Sequence, residues 1–288
     1  MKGGPALNTS KEGEKYNMTE WLEGNVYANG INIHYYRSDG GNKPSILLLH
    51  GFTDSGLCWS RVAHDLEGSY DVIMTDARGH GHSGGIATGF STTILADDAA
   101  AAIRALGLEK PYLFGHSMGA RTAATVAANY PDLVRAIVLE DPPLTDRLPF
   151  QTNEGQAGRQ RWQWVFDLKA LSREERIARG FAMNPNWTEE DILPWADSKA
   201  QVHPDVLKHA GAIGSYPWRE VISRIQCPIL LITGDPELGA IVTSEAAQEA
   251  KQLWKDGEVV HTSGAGHNIR RDRYDETMAA VRAFLNRV

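Results

Sequence analysis

Cysteine is scarce: Cys58 and Cys227 are the only two in 288 residues, they lie far apart, and they match no metal-ligand spacing. That argues against a disulfide framework, and both read as buried free thiols. Long apolar runs are missing too, none approaching the roughly eighteen residues that a membrane span needs. Positive charge is in deficit, with 29 Lys and Arg against 36 Asp and Glu, a net charge of −7 and an isoelectric point near 5.8. This balance removes any electrostatic reason to expect nucleic acid or an anionic membrane as a partner. Residues 1–20 carry lysines but no apolar stretch, so they do not read as a secretory signal. A polar, disordered lead-in and a cytoplasmic location are the expectations. No internal repeat or low-complexity tract appears.

What is present is a hydrophobic fraction of 42%, enough for one substantial core in one large domain or in a core with an insertion. Asn29-Gly30 stands between two β-prone runs and signals a hairpin. Ser45 to Leu49 and Tyr70 to Thr75 read as strands buried on both faces, as a parallel sheet requires. Helical stretches, Trp59 to Leu66 and Thr92 to Leu106, follow them in turn, and this alternation is that of an α/β sheet. It continues through Tyr112 to Phe114, a small-residue helix from Ala120 to Tyr130, and Ala136 to Leu139. From Leu144 to Arg219 the rhythm stops: no buried-strand run occurs, helical stretches dominate, and five of the eight tryptophans gather there. It resumes with a strand to Thr233, a helix from Ser244 to Trp254, a strand from Glu258 to His261 and a helix from Asp272 to Asn286. The expected division is a core of residues 21–143 and 220–288 around a helical insertion, 144–219.

Gly115-His116-Ser117-Met118-Gly119 sits between an apolar strand and a helix, the sequence form of a nucleophile elbow. Glycines on either side remove Cβ atoms that would collide with neighbouring backbone. A serine hydroxyl needs a base, most often an imidazole oriented by a carboxylate. His267, in Gly264-Ala265-Gly266-His267-Asn268 after the last strand, would lie at the same strand-end edge. Four carboxylates could reach that edge: Glu140 and Asp141 after one strand, Asp235 and Glu237 after the next. Asp235 ranks first because it opens its loop and Pro236 would stiffen it; Glu237 follows, then Asp141. Backbone N–H groups of Met118 and Phe52 are the expected oxyanion donors, with His50 bracing the second loop. His80 and His82 form a His-x-His pair, but nothing nearby completes a metal site, so no metal is expected.

His50-Gly51-Phe52, Asp76-Ala77-Arg78-Gly79-His80-Gly81-His82-Ser83, Gly115 to Gly119 and Gly264 to His267 occur in an order and spacing that resembles the α/β-hydrolase superfamily from about Gly24 onward. The resemblance implies an eight-stranded, mostly parallel sheet, a helical cap inserted after strand six, and a triad of Ser117, His267 and an acid. Relatives often carry the acid three residues after a glycine, which would select Glu237, yet the loop from Gly234 to Val242 departs from that pattern. It also implies hydrolysis of a small-molecule carboxylic ester or lactone with water and without a cofactor. Aspartate-nucleophile dehalogenase and epoxide hydrolase chemistry is disfavoured by Ser117. A carbon–carbon bond hydrolase, a cofactor-free perhydrolase and, from another class, a hydrolase-like ligand receptor are the alternatives. Phe150, Trp162, Trp187 and Trp218 are the substrate-wall candidates, suited to a bulky ester such as a macrocyclic lactone; the same tryptophans would serve equally to pack helices together.

Overall fold

A computed structural model describes residues 21–87, 89–145, 156–208 and 216–288, and the side chains of 156–161 and 208 are not among those described. The expected lead-in, residues 1–20, and Phe150 lie outside the described residues. Eight strands form one sheet in the order β1-β2-β4-β3-β5-β6-β7-β8. Strands β1 (Leu22–Ala28) and β2 (Ile31–Arg37) make the hairpin over Asn29-Gly30, both of which take positive φ. Strands β3 (Ser45–Leu49), β4 (Asp71–Thr75), β5 (Tyr112–His116), β6 (Ile137–Glu140), β7 (Ile229–Thr233) and β8 (Gly257–His261) are parallel, and β2 joins them antiparallel through β4.

The apolar runs follow from coverage on both faces. Leu47, Ile73, Leu113, Ile137 and Leu231 point to one face. Helices α2 (Thr92–Ala105), α3 (Met118–Asn129), α8 (Trp218–Arg224) and α9 (Ser244–Leu253) pack there. Their strand neighbours Ile46, Leu48, Phe114, Val138 and Leu230 point the other way, toward α1 (Ser60–Leu66) and α11 (Tyr274–Leu285). The period of two is therefore present but carries no polar face to reveal it. The last helix is shorter than expected: α10 (Ile269–Asp272) and α11 are separated at Arg273, where φ is −139°. Asp272 accepts the Gly266 N–H at 2.9 Å and so closes the His267 loop instead of continuing a helix.

Between β6 and β7 the described helices are α4 (Gln156–Lys169), α5 (Arg173–Met183), α6 (Glu189–Gln201), α7 (Pro204–Lys208) and then α8. Capping boxes at Ser172 and Thr188 satisfy the free N–H groups that open α5 and α6. No described helix is long and apolar enough to cross a membrane.

The tightest backbone crossing lies beneath the elbow. A Cβ on Gly119 would fall 1.9 Å from the Leu49 carbonyl oxygen, and one on Gly115 would fall 2.3 Å from the Gly119 carbonyl oxygen. Neither backbone atom can move without shifting a central strand, β3, or the helix behind the elbow, α3. Gly119→Ala is expected to destabilise the fold by at least about 2 kcal/mol, read as a lowered Tm. Gly40→Ala, where a Cβ meets nothing within 4 Å, should leave Tm unchanged; equal Tm values for the two variants contradict this packing.

Candidate active site

Strand β5 delivers Ser117 with φ 52° and ψ −110°, a conformation that a non-glycine residue holds only when its surroundings impose it. The Ser117 N–H donates to the Glu140 carbonyl at 2.9 Å, which ties the elbow to the end of β6. His267 Nε2 lies 3.0 Å from Ser117 Oγ, and His267 Nδ1 lies 2.6 Å from Asp141 Oδ2. A carboxylate only accepts, so Nδ1 carries the ring proton and Nε2 presents a lone pair to the serine hydroxyl. That orientation allows the imidazole to take the hydroxyl proton.

The carboxylate at His267 is Asp141, ranked third from sequence, and not Asp235. Asp141 is fully buried just beyond β6, at φ 43°. Its carboxylate accepts the Ile241 N–H at 2.8 Å and the Val242 N–H at 2.9 Å. The loop after β7 thus supplies two N–H donors to the acid of the preceding strand and does not supply the acid. Asp235 is engaged elsewhere: its oxygens meet His261 Nε2 at 2.9 Å and the Gly264 N–H at 2.7 Å. The Gly264 N–H and then His261 hold its carboxyl below the usual range. Glu237 is exposed within the 3₁₀ turn Pro236–Leu238. Glu140 pairs with Arg270 at 2.8 Å and accepts the Arg270 N–H at 2.9 Å, which anchors α10 directly behind His267.

Residues 44–270 match the model of a family described by its α/β-hydrolase fold. The chain belongs to that family. N-formylmaleamate deformylase of Pseudomonas putida is 28% identical over 279 residues, covering 91% of this chain and 96% of that protein. The 2-(acetamidomethylene)succinate hydrolase of Mesorhizobium japonicum is 29% identical over 264 residues, covering 85% and 89%. A crystal structure of an N-formylmaleamic acid deformylase from Pseudomonas putida S16 superposes with a TM-score of 0.77 at 25% identity, covering 90% of this chain and all of that one.

In this α/β-hydrolase the loop after β3 rests on the elbow: a Cβ on Gly51 would lie 2.6 Å from His116 Nδ1 and 3.6 Å from Ser117 Cβ. Buried imidazoles grip the loop. His50 Nε2 accepts the Ala77 N–H at 2.9 Å, so its Nδ1–H donates to the Gly51 carbonyl at 2.8 Å. His80 Nδ1–H donates to the Arg78 carbonyl at 3.0 Å, so its Nε2 accepts the Thr53 N–H at 3.3 Å. His116 Nε2–H donates to the His267 carbonyl at 2.9 Å and steadies that loop. Sequence reading gave His50 a bracing role but missed those of His80 and His116. The glycines around His80, which bring its ring close to backbone, were the available signal.

The aromatic candidates divide. Trp162 on α4 packs at a tilt against Phe52, with ring centroids 4.6 Å apart, in a cluster that includes Met118 and Phe90. It therefore stands next to the elbow. Trp187 is not a wall residue: it is buried among Leu168, Ile192 and Trp195, lies under Arg271, and donates Nε1–H to Asp272 at 2.8 Å. Trp218 is also corrected, because it opens α8 and is buried with Val221 and Ile222 in the sheet core. Both are consumed by packing.

Burial lowers the pKa values of His50, His80 and His116, that of His80 to about 3. Below about pH 6.5 the unfolded chain binds protons that these rings refuse when folded, so each removes stability as pH falls. His34 acts oppositely: burial resists its charge, but Asp76 and Glu23 outweigh burial and raise its pKa. Near pH 5, however, His34 is protonated in both states and offsets nothing, so each buried ring that stays neutral costs on the order of 1.4 kcal/mol per pH unit. The urea midpoint should fall clearly from pH 7 to pH 5; an equal or higher midpoint at pH 5 contradicts neutral imidazoles at these positions.

Proposed function

We propose that this hydrolase cleaves a carboxylic ester or lactone through an acyl-enzyme on Ser117. The unbroken chain from Ser117 Oγ through His267 to Asp141 is the observation that carries this reading. Ser117 Oγ attacks the carbonyl carbon as its proton passes to His267 Nε2. The carbonyl π pair becomes an oxyanion, held by the N–H groups of Met118 at the start of α3 and Phe52 in the facing loop. Collapse expels the alkoxide, which leaves as an alcohol with the proton from His267. Water then repeats the sequence, losing a proton to His267 while Ser117 regains one, and the carboxylic acid departs. No step requires a cofactor.

The described surroundings favour an apolar acyl or alkoxy group. Phe52, Phe90, Met118 and Trp162 cluster beside the elbow. The nearby cations Lys199 and Arg271 are both paired with Asp54. A second reading, cleavage of an acyl–nitrogen bond, is favoured by the deformylase and acetamidomethylene hydrolase named above, which this chain matches over most of its length. It requires the same residues and a leaving nitrogen protonated by His267.

The test is a panel of p-nitrophenyl esters, simple and macrocyclic lactones, and N-formyl and N-acetyl enamides, followed by mass spectrometry of the products. Ester or lactone turnover is expected, with Ser117→Ala inactive and kcat of Asp141→Asn lowered about 10⁴-fold. Asp235→Asn should stay within about two-fold of wild type, because that carboxylate serves its own loop. Turnover by Ser117→Ala, or an Asp235→Asn loss that matches Asp141→Asn, would reject the mechanism; cleavage of the enamides alone selects the second reading.

A further inference from the structure

One lysine reaches from the helices between β6 and β7 into the loop that carries the Phe52 N–H. Lys199 on α6 is buried, and its Nζ donates to Thr53 O at 2.9 Å, Thr53 Oγ1 at 3.0 Å and Asp54 Oδ1 at 2.8 Å. The Ser198 hydroxyl, which donates to the Trp195 carbonyl, accepts a further contact at 3.3 Å. The second Asp54 oxygen accepts from Arg271 Nη2 at 2.9 Å. Burial alone would push the Asp54 carboxyl up; Arg271 and Lys199 outweigh it and hold the group well below the usual range. A lysine, an aspartate and an arginine thus form a buried ionic chain. It joins α6, the loop after β3, and the segment after His267.

A buried ammonium is unfavourable unless its N–H groups find acceptors, so its placement reports what it must hold. Here two of its acceptors belong to Thr53, the residue directly after Phe52. Thr53 has φ 70°, a region that a β-branched residue enters only under constraint. His80 takes the Thr53 N–H, while Lys199 takes both the carbonyl and the hydroxyl. All three polar groups of this strained residue are engaged, two of them by a single side chain 146 residues away.

We propose that Lys199 is a positioning residue that holds the Phe52 N–H toward the developing oxyanion, so that turnover depends on α6 being seated against the loop. The proposal rests on the acyl-transfer reading of Ser117. An ion pair that merely fastens α6 to the core would contribute to stability and leave transition-state binding untouched. The two roles therefore separate in kinetics.

The test uses the full chain with Lys199→Met, Thr53→Val and both together. Three readouts are compared: kcat and KM on p-nitrophenyl butyrate, inhibition by an alkyl trifluoromethyl ketone whose hemiketal oxygen imitates the oxyanion, and hydrogen exchange of the peptide spanning residues 50–58. Lys199→Met is expected to lower kcat on the order of 100-fold with KM within about three-fold, and to weaken the ketone by a similar factor. Exchange at 50–58 should rise while that of the central strands is unchanged. Thr53→Val should lose about ten-fold, and the double variant should be no worse than Lys199→Met alone, since both act through one contact. Wild-type kcat and ketone affinity in a folded Lys199→Met protein overturn the proposal. So do additive losses, or unchanged exchange at 50–58 in Lys199→Met. If Lys199→Met does not fold, wild-type kcat in Thr53→Val overturns it. A wild-type enzyme that neither cleaves the ester nor binds the ketone instead defeats the acyl-transfer reading itself.

Discussion

A buried carboxylate with every neighbour aligned to it, Asp141, is the constraint on which the rest of the site depends. It sits at positive φ directly beyond β6, with its own N–H on the Ile232 carbonyl and its oxygens on Ile241, Val242 and His267. A charge so deep is tolerated only where donors surround it. Those donors fix three segments at once: the turn after β6, the loop after β7 and the loop after β8. Once they are fixed, His267 has one ring orientation, and the hydroxyl delivered by β5 meets the free nitrogen.

The same economy of fixed, satisfied groups extends outward. Arg270 fills the Glu140 carboxylate behind His267, and His116 holds the His267 carbonyl. On the other side of Ser117, His50, His80 and Lys199 engage successive polar groups of the segment from Gly51 to Thr53. Two of these anchors are neutral rings and one is a cation paired with Asp54. The loop segment facing the nucleophile is thus held at consecutive polar groups, and in the proposed acyl transfer this is what would preorganise its backbone donor. Arg121, four residues past Ser117, stands apart from this order. It is buried over the Tyr216 ring with Nε and Nη2 lacking hydrogen-bond partners among the described residues, and burial pulls its pKa down to about 10.

Much of this was legible in the residues. The strands declared themselves because a sheet covered on both faces leaves short apolar runs, and Ser45 to Leu49 and Ile229 to Thr233 begin and end where those runs do. Ser117 was marked by glycines that the Leu49 and Gly119 carbonyls require, and His267 by its place after the final strand. The acid was not legible. Asp141 and Asp235 both follow parallel strands, and only contacts between segments distant in sequence decide between them: the Ile241 and Val242 amides, 100 and 101 residues on, turn toward Asp141, while His261, 26 residues on, captures Asp235. Lys199 was equally hidden, since nothing in its local sequence distinguishes a buried lysine from a solvated one. Trp187, in the turn between α5 and α6, and Trp218, at the start of α8, misled because a tryptophan's local sequence looks alike whether it faces a cleft or a core.

The most direct test of the account is the proton spectrum of the resting enzyme in the region far downfield of the amides. A histidine Nδ1–H bonded at 2.6 Å to a buried carboxylate should resonate there. The account predicts one such signal, assigned to His267, absent from Asp141→Asn and retained in Asp235→Asn. A signal that survives loss of the Asp141 carboxylate and disappears with that of Asp235 would contradict it.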